Sequence, residues 1–199
     1  MIPSSLFTVP IWDDMLPNFE AIQEEIIPML RKFRNDNPSL KQSNVGGYQS
    51  PKTLHKLEEL KELYEYITVR VNQVAASIGL DAQLEINESW VNINDTPGCF
   101  NLQHIHGGVI SGIFYIKVPE GSGSLFLSNP CPIHMWEGLN ICPERNHYAS
   151  ETIEVKPIEG TFIMWPSYLP HSVGANTHNE ERISIAFNST VKRKENGET

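Results

Sequence analysis

No stretch of the chain approaches the ~18 consecutive apolar residues that a membrane-spanning helix needs. The N-terminal MIPSSLFTVPIWDD lacks the basic region and apolar run of a secretory leader. Cysteine is scarce, with only Cys99, Cys131 and Cys142. An odd, low count with no leader excludes a disulfide framework and points to reduced thiols in a cytoplasmic setting, a bacterial cell or a phage-infected host. Basic residues are also short: 15 Lys and Arg against 24 Asp and Glu give a formal net charge of -9. That balance argues against broad binding to nucleic acid or to anionic membranes. The one basic cluster, Lys192, Arg193 and Lys194, reads as a solubilising tail. Internal repeats and low-complexity segments are absent.

What remains is ordinary for a soluble globular chain: 199 residues, 40% hydrophobic and 20% charged. The length fits a single domain, with a helical N-terminal part over 1–80, a β-rich core over 85–190 and a polar tail over 191–199. LFTVPIW at 6–12 reads as a short strand that Pro10 confines to an edge. Asn18 is placed to cap a helix running to about Phe33, with Pro28 kinking it. Residues 35–50 have loop composition. The strongest helical pattern spans Pro51 to Ile78, where Leu54, Leu57, Leu60, Leu63, Ile67, Val71, Val74 and Ile78 recur at spacings of three and four and Gly79 supplies a stop. From Glu85 the texture becomes short β-branched and aromatic runs broken by turn residues. Strands are expected near 86–94, 100–106, 109–118, 123–128, 152–156, 161–165, 171–175 and 182–190. Eight such strands after two helices suggest an antiparallel sandwich or jelly roll with the helices outside. The aperiodic connection 129–151, which carries His134 and Trp136, has the length of a lid or binding loop.

NLQHIHGG places His104 and His106 two residues apart. On a strand such residues share a face, and two neutral imidazoles side by side suit a metal ion. The plain alternative is two surface histidines on an edge strand. GTFIMWPSYLPHSV then brings an apolar strand, a proline-rich corner and His171, which in a jelly roll can approach the strand bearing the pair. Eleven residues further on, RISIAFN alternates Arg182, Ser184, Ala186 and Asn188 with Ile183 and Ile185. An inward arginine is costly unless an anion meets it. Arg182 and Ser184 therefore make a carboxylate clamp if their row faces inward, and a solvated surface if the isoleucines do. Cys131, His134, Cys142 and His147 form a second, irregularly spaced metal pattern, a candidate small zinc site.

Taken together, these segments resemble the Fe(II)/2-oxoglutarate oxygenases, and more narrowly the 2OG-Fe(II) oxygenase group found in marine bacteria and phages. The likeness runs through LFTVPIW, SNVGGYQS at 43–50, SWVNIN at 89–94, HIHGGVISGIFYIKVP at 104–119, PSYLPHSV at 166–173 and ERISIAFN at 181–188. The resemblance implies a double-stranded β-helix, a cupin-like jelly roll. It implies Fe(II) and 2-oxoglutarate as cofactors, with dioxygen and a primary substrate as further reactants. It also implies an enzyme that couples oxidative decarboxylation of 2-oxoglutarate to C–H oxidation, most simply as a hydroxylase.

Under that resemblance His104 takes the first ligand place and His171 the last. Arg182 and Ser184 hold the far carboxylate of 2-oxoglutarate, Asn92 and Tyr115 complete the pocket, and Ser111 is a weaker candidate. The chain departs from the superfamily at His106, which stands where a carboxylate is usual. Either His106 is the third ligand, or it is the first ligand of a gapped set, with Gly108 in the carboxylate position and His104 outside the set. Two other readings stay open: a three-histidine, cupin-like dioxygenase that uses no 2-oxoglutarate, and a non-catalytic jelly-roll binding protein. The sequence does not name the primary substrate and leaves a homodimer open.

Overall fold

A computed structural model describes residues 8–131, 133–142, 146 and 148–193. In chain order its elements are β1 (Trp12–Met15), α1 (Phe19–Asp36), β2 (Asn44–Val45), β3 (Tyr48–Gln49), α2 (Lys61–Ser77), β4 (Leu84–Asn94), β5 (Phe100–His104), β6 (Ile110–Lys117), β7 (Leu125–Ser128), β8 (Thr152–Val155), β9 (Thr161–Pro166), β10 (His171–Val173) and β11 (Arg182–Val191). The strands form two sheets, one ordered β1-β9-β6-β11-β4-β3 and one ordered β2-β5-β10-β7-β8. Every pairing in both is antiparallel.

The larger sheet is buried on both faces, and the strand period of two sorts its residues. One row, Val91, Ile93, Phe114, Ile116, Phe162, Met164, Ile183, Ile185 and Phe187, packs with Leu30 of α1 and Ile67 and Val71 of α2. The other row faces the smaller sheet, where Ile113, Tyr115, Ile163 and Trp165 meet Leu125 and Leu127 of β7. The helices therefore lie outside the sandwich, as their apolar stripes require. The parity of β11 follows. Its isoleucines face the helices, so Arg182, Ser184, Ala186 and Asn188 point between the sheets rather than into solvent.

Several boundaries differ from the sequence reading. The first strand begins only at Trp12, the last residue of the expected 6–12, and runs on to Met15; residues 6 and 7 lie outside the described residues. Asn18 does precede α1, but in the left-handed region at φ 54° and with no side-chain cap. The long helical pattern starts late: residues 54–56 and 58–60 form single 3-10 turns and α2 proper begins at Lys61. The cause is competition from the sheet. Ser50 N–H donates to Val91 O at 3.0 Å and Ser89 N–H to Lys52 O at 3.3 Å, so residues 50–53 cover the edge of β4 instead of coiling. For the same reason two short strands, β2 and β3, appear inside the expected loop 35–50 and flank the open edges of β5 and β4. The helix ends at Ser77, and Gly79 follows at φ 76°.

Candidate metal and co-substrate site

His171 on β10 lies opposite His104 on β5 in the antiparallel register. β5 stops at His104, so the expectation that His106 shares its strand is not met. His106 is instead held just past the strand end, its N–H donating to Ser167 O at 3.0 Å. The three rings still converge, with centroids 4.4 Å apart for His104 and His171, 4.7 Å for His104 and His106, and 5.0 Å for His106 and His171. One candidate ligand atom from each lies within 4.8 Å of the others. Among the described residues this is the only cluster of three or more His, Cys, Asp or Glu so arranged.

The hydrogen bonds choose which nitrogens face the centre. A carbonyl oxygen only accepts, so Nδ1 of His104 must carry a proton toward Leu102 O at 2.7 Å, and Nδ1 of His171 one toward Leu169 O at 2.9 Å. Each leaves Nε2 with a free lone pair, the arrangement that orients metal-binding imidazoles. His106 packs edge-on against Trp90, and Trp165 packs edge-on against His171. Burial is the main cause of lowered basicity in all three. His106 is pushed down to about 3, with His171 and His104 adding to the effect. His171 is pushed to about 4, against its hydrogen bond to Leu169, and His104 shifts down in the same direction. All three are neutral near pH 7, the form that ligates metal.

Behind the triad, between the sheets, sits Arg182, 1% exposed. Its Nη1 donates to Ser184 Oγ at 3.1 Å. The register places Asn92 of β4 and Tyr115 of β6 directly opposite Ser184 from either side. The guanidinium lies over the Tyr115 ring, 5.3 Å from its centroid, near enough for each group to feel the other. Yet among the described residues Arg182 Nε and Nη2, the Tyr115 hydroxyl and Asn92 Oδ1 are buried and meet no partner in hydrogen-bond geometry, although the Tyr115 hydroxyl and the guanidinium interact. Among the described residues no carboxylate pairs with this arginine. Burial pulls the Arg182 pKa down and pushes that of Tyr115 up, each shift opposed by the other group. A buried cation with unmet donors is costly, and its natural complement is a carboxylate, which a guanidinium meets with paired hydrogen bonds.

A family model described as "Putative 2OG-Fe(II) oxygenase" matches residues 88–188, the span that carries all three histidines and the arginine. The chain belongs to this oxygenase family. Iron and 2-oxoglutarate are accordingly its cofactors, and dioxygen and 2-oxoglutarate its co-substrates. No curated protein matches the sequence. Among solved structures, the oxygenase is similar to a Pseudomonas putida prolyl-4-hydroxylase, with TM-score 0.63, 14% identity, and coverage of 94% of this chain and 95% of that one. It is also similar to the epimerase SnoN from nogalamycin biosynthesis, solved with Fe3+, alpha ketoglutarate and nogalamycin RO, at TM-score 0.66 and 12% identity over 92% of this chain and 79% of that one. HygX from Streptomyces hygroscopicus, with nickel and 2-oxoglutarate bound, gives TM-score 0.60 and 12% identity over 96% and 89%. At such identities the likeness establishes the fold, and that fold is the double-stranded β-helix.

The structure brings His104, His106, His171, Arg182, Ser184, Asn92 and Tyr115 of the oxygenase together. It does not bring Ser111, which pairs with Asn188 at the other end of β6, donating to Asn188 Oδ1 at 2.8 Å and lying 2.9 Å from Ser167 Oγ. Trp136 is exposed and lines neither the interior pocket nor the cleft outside the triad. Of the second metal pattern, His147 and the side chain of His134 lie outside the described residues. Trp90, Trp165, Ser43 and Asn101 line the interior pocket and were missed. Trp165 could have been found from the same parity argument that was applied to Arg182, whereas Ser43 sits beside the unexpected strand β2, and Asn101, though on an expected strand, lies past the register shift between β5 and β10.

Proposed function

We propose that the oxygenase hydroxylates an unactivated C–H bond, with His104, His106 and His171 as a three-histidine iron set and Arg182 as the co-substrate anchor. The observation that carries this reading is Arg182, a fully buried cation with two unpaired nitrogens, lining the same interior pocket as the histidine triad. The residues present fit both groups. Three neutral imidazoles, two of them presenting Nε2, suit Fe(II), and the arginine, with Ser184, Asn92 and Tyr115 around it, suits the far carboxylate of 2-oxoglutarate. With both bound, the iron and 2-oxoglutarate supply the activation of dioxygen and the decarboxylation, while the protein supplies position and shielding.

Three features of the chain support specific roles. The Nδ1 hydrogen bonds to Leu102 and Leu169 fix two rings so that Nε2 faces the centre. The hydrophobic walls Ile113, Leu125, Trp165 and Val173 keep bulk water from the pocket. The all-histidine set carries no charge against a +2 ion, and the dianionic co-substrate offsets that charge instead. The gapped alternative fares worse: Gly108 has φ 106°, and a Cβ there would lie 2.4 Å from Ser189 O, directed at backbone rather than at the triad. A dioxygenase that bypasses 2-oxoglutarate would leave Arg182 buried without an anion.

The test is spectroscopic. Fe(II) and 2-oxoglutarate added under nitrogen should give a visible charge-transfer band. Bound iron with no band would sink the proposal, and Arg182→Ala should lose the band while retaining iron.

A further inference from the structure

Outside the triad lies an open cleft of about 710 Å³, walled by β5 and its following turn, the start of β4, the end of β11 and residues 42–52. Its chemistry is unusual for a protein of net charge -9. The lining holds the carboxamides Gln42, Gln49, Asn87, Gln103 and Asn188. Among the described residues its only formal charges are Lys52 and Glu88, which pair with each other at 2.9 Å. Gln49 is 2% exposed, and among the described residues its Oε1 has no hydrogen-bond partner. A buried acceptor without a donor is costly, so this oxygen points to a ligand N–H or O–H.

Building on the oxygenase reading, we propose that this cleft takes an uncharged polypeptide segment as primary substrate, with Gln49 accepting a hydrogen bond from it. Four observations favour that class. Carboxamides offer a donor and an acceptor each, the complement of a peptide group. The one cation is already neutralised, so nothing in the cleft answers a phosphate or a free carboxylate. Trp90 in the lining is only 5% exposed and its ring is flanked by Lys52 and His106, so it offers no open platform for a base or sugar. Finally, β5 outruns its partner β2. The ladder ends with Leu102 N–H donating to Ser43 O at 2.8 Å, and the N–H of Gln42 turns back to Asn44 Oδ1 at 2.9 Å. Gln103 and Ile105 continue alongside the cleft as exposed strand-end residues, with Leu102 and Ile105 exposing apolar side chains at 53% and 59%. A strand end with amide and aliphatic side chains is a fitting surface for an extended chain.

The experiment uses the full chain loaded with Fe(II) and 2-oxoglutarate under nitrogen, so that the charge-transfer band first verifies the underlying oxygenase reading. Probes are a pool of uncharged peptides of random Ala, Ser, Thr, Asn, Gln, Pro and Leu sequence, the same pool with Asp or Lys at the centre, a neutral oligosaccharide and a short single-stranded DNA. The uncharged pool should perturb the band, and members of it should gain one oxygen atom by mass spectrometry once air is admitted. Gln49→Met should weaken peptide binding about tenfold, consistent with loss of one buried hydrogen bond, and Gln49→Glu, which keeps an acceptor oxygen, should restore part of it. If the Gln49 variants do not fold, Ile105→Asp at the exposed rim should weaken the uncharged pool selectively. A normal band perturbed only by the DNA, the oligosaccharide or the charged peptides, or by none of the probes, would overturn the substrate class while leaving the oxygenase reading intact. Absence of the band would instead count against the oxygenase reading.

Discussion

Arg182 shows how a functional residue works against the stability of its own fold. Among the described residues it is buried without a counter-ion, its guanidinium bonded to Ser184 and lying against Tyr115. Replacing a buried charge by an apolar side chain of similar length often stabilises a protein, whereas losing one side of a buried charge pair costs about 2–5 kcal/mol of binding. The two effects can be separated by one substitution. Arg182→Met should melt at or above the wild-type temperature in the absence of 2-oxoglutarate, yet bind the co-substrate at least ~30-fold more weakly. Thermal unfolding with and without 2-oxoglutarate reads both quantities. A clear fall in the ligand-free melting temperature would show that the guanidinium is structural. For the triad, His171→Ala removes a ring whose orientation is fixed by Leu169 O and should lower metal affinity by at least ~10-fold, measured by competition with a chelator.

At the scale of elements, the turn after β5 decides whether His106 reaches the triad. His106 lies beyond the strand, so the turn that follows must return the chain closely against β11. Val109 N–H donates to Ser189 O at 2.9 Å, and Gly108 adopts φ 106° with no room for a Cβ against that same oxygen. Gly108→Ala combines backbone strain with a backbone clash. It should destabilise the protein by about 1–3 kcal/mol and weaken metal binding together. Denaturant unfolding and metal titration on the same sample check the coupling; a loss of stability with unchanged metal affinity would uncouple the turn from the site.

The sequence made much of this legible and concealed the rest for definite reasons. All eight expected strands from Glu85 onward exist, within a few residues, because alternation and turn residues are local signals. Strand parity put Arg182 and Ser184 in one row but left its facing open, and Asn92 and Tyr115 came only from the resemblance; the packing of the isoleucines on the helices turns that row inward. The late start of α2 was not, because the competing bonds come from Val91 and Ser89, some 35 to 40 positions away along the chain. β2 and β3 escaped because two-residue strands carry no periodicity. Gln49 escaped with them: only its pairing opposite Asn92 turns a loop glutamine into a buried cleft residue.

For the whole molecule, the histidine triad ties stability to pH. Burial holds His106 at about 3 and His171 at about 4, against about 6.5 for a histidine in an unfolded chain. Between those values the unfolded state binds more protons than the folded one, so the stability of the metal-free protein rises with pH across the window and falls as pH drops through about 6.5. Carboxylates elsewhere titrate in the lower part of this range, so the informative quantity is a difference between proteins. The melting temperature of the metal-free wild type should climb more steeply between about pH 4.5 and pH 6.5 than that of His171→Asn, whose amide does not titrate. Parallel profiles would show that His171 protonates in the fold as freely as in the unfolded chain. A divalent metal should raise the wild-type profile nearly in parallel across this window, because the folded rings are already neutral there and binding displaces few protons, while the stabilisation follows metal concentration over Kd. The same neutrality that costs stability in acid is therefore what leaves a ring nitrogen of each histidine available to a metal at neutral pH.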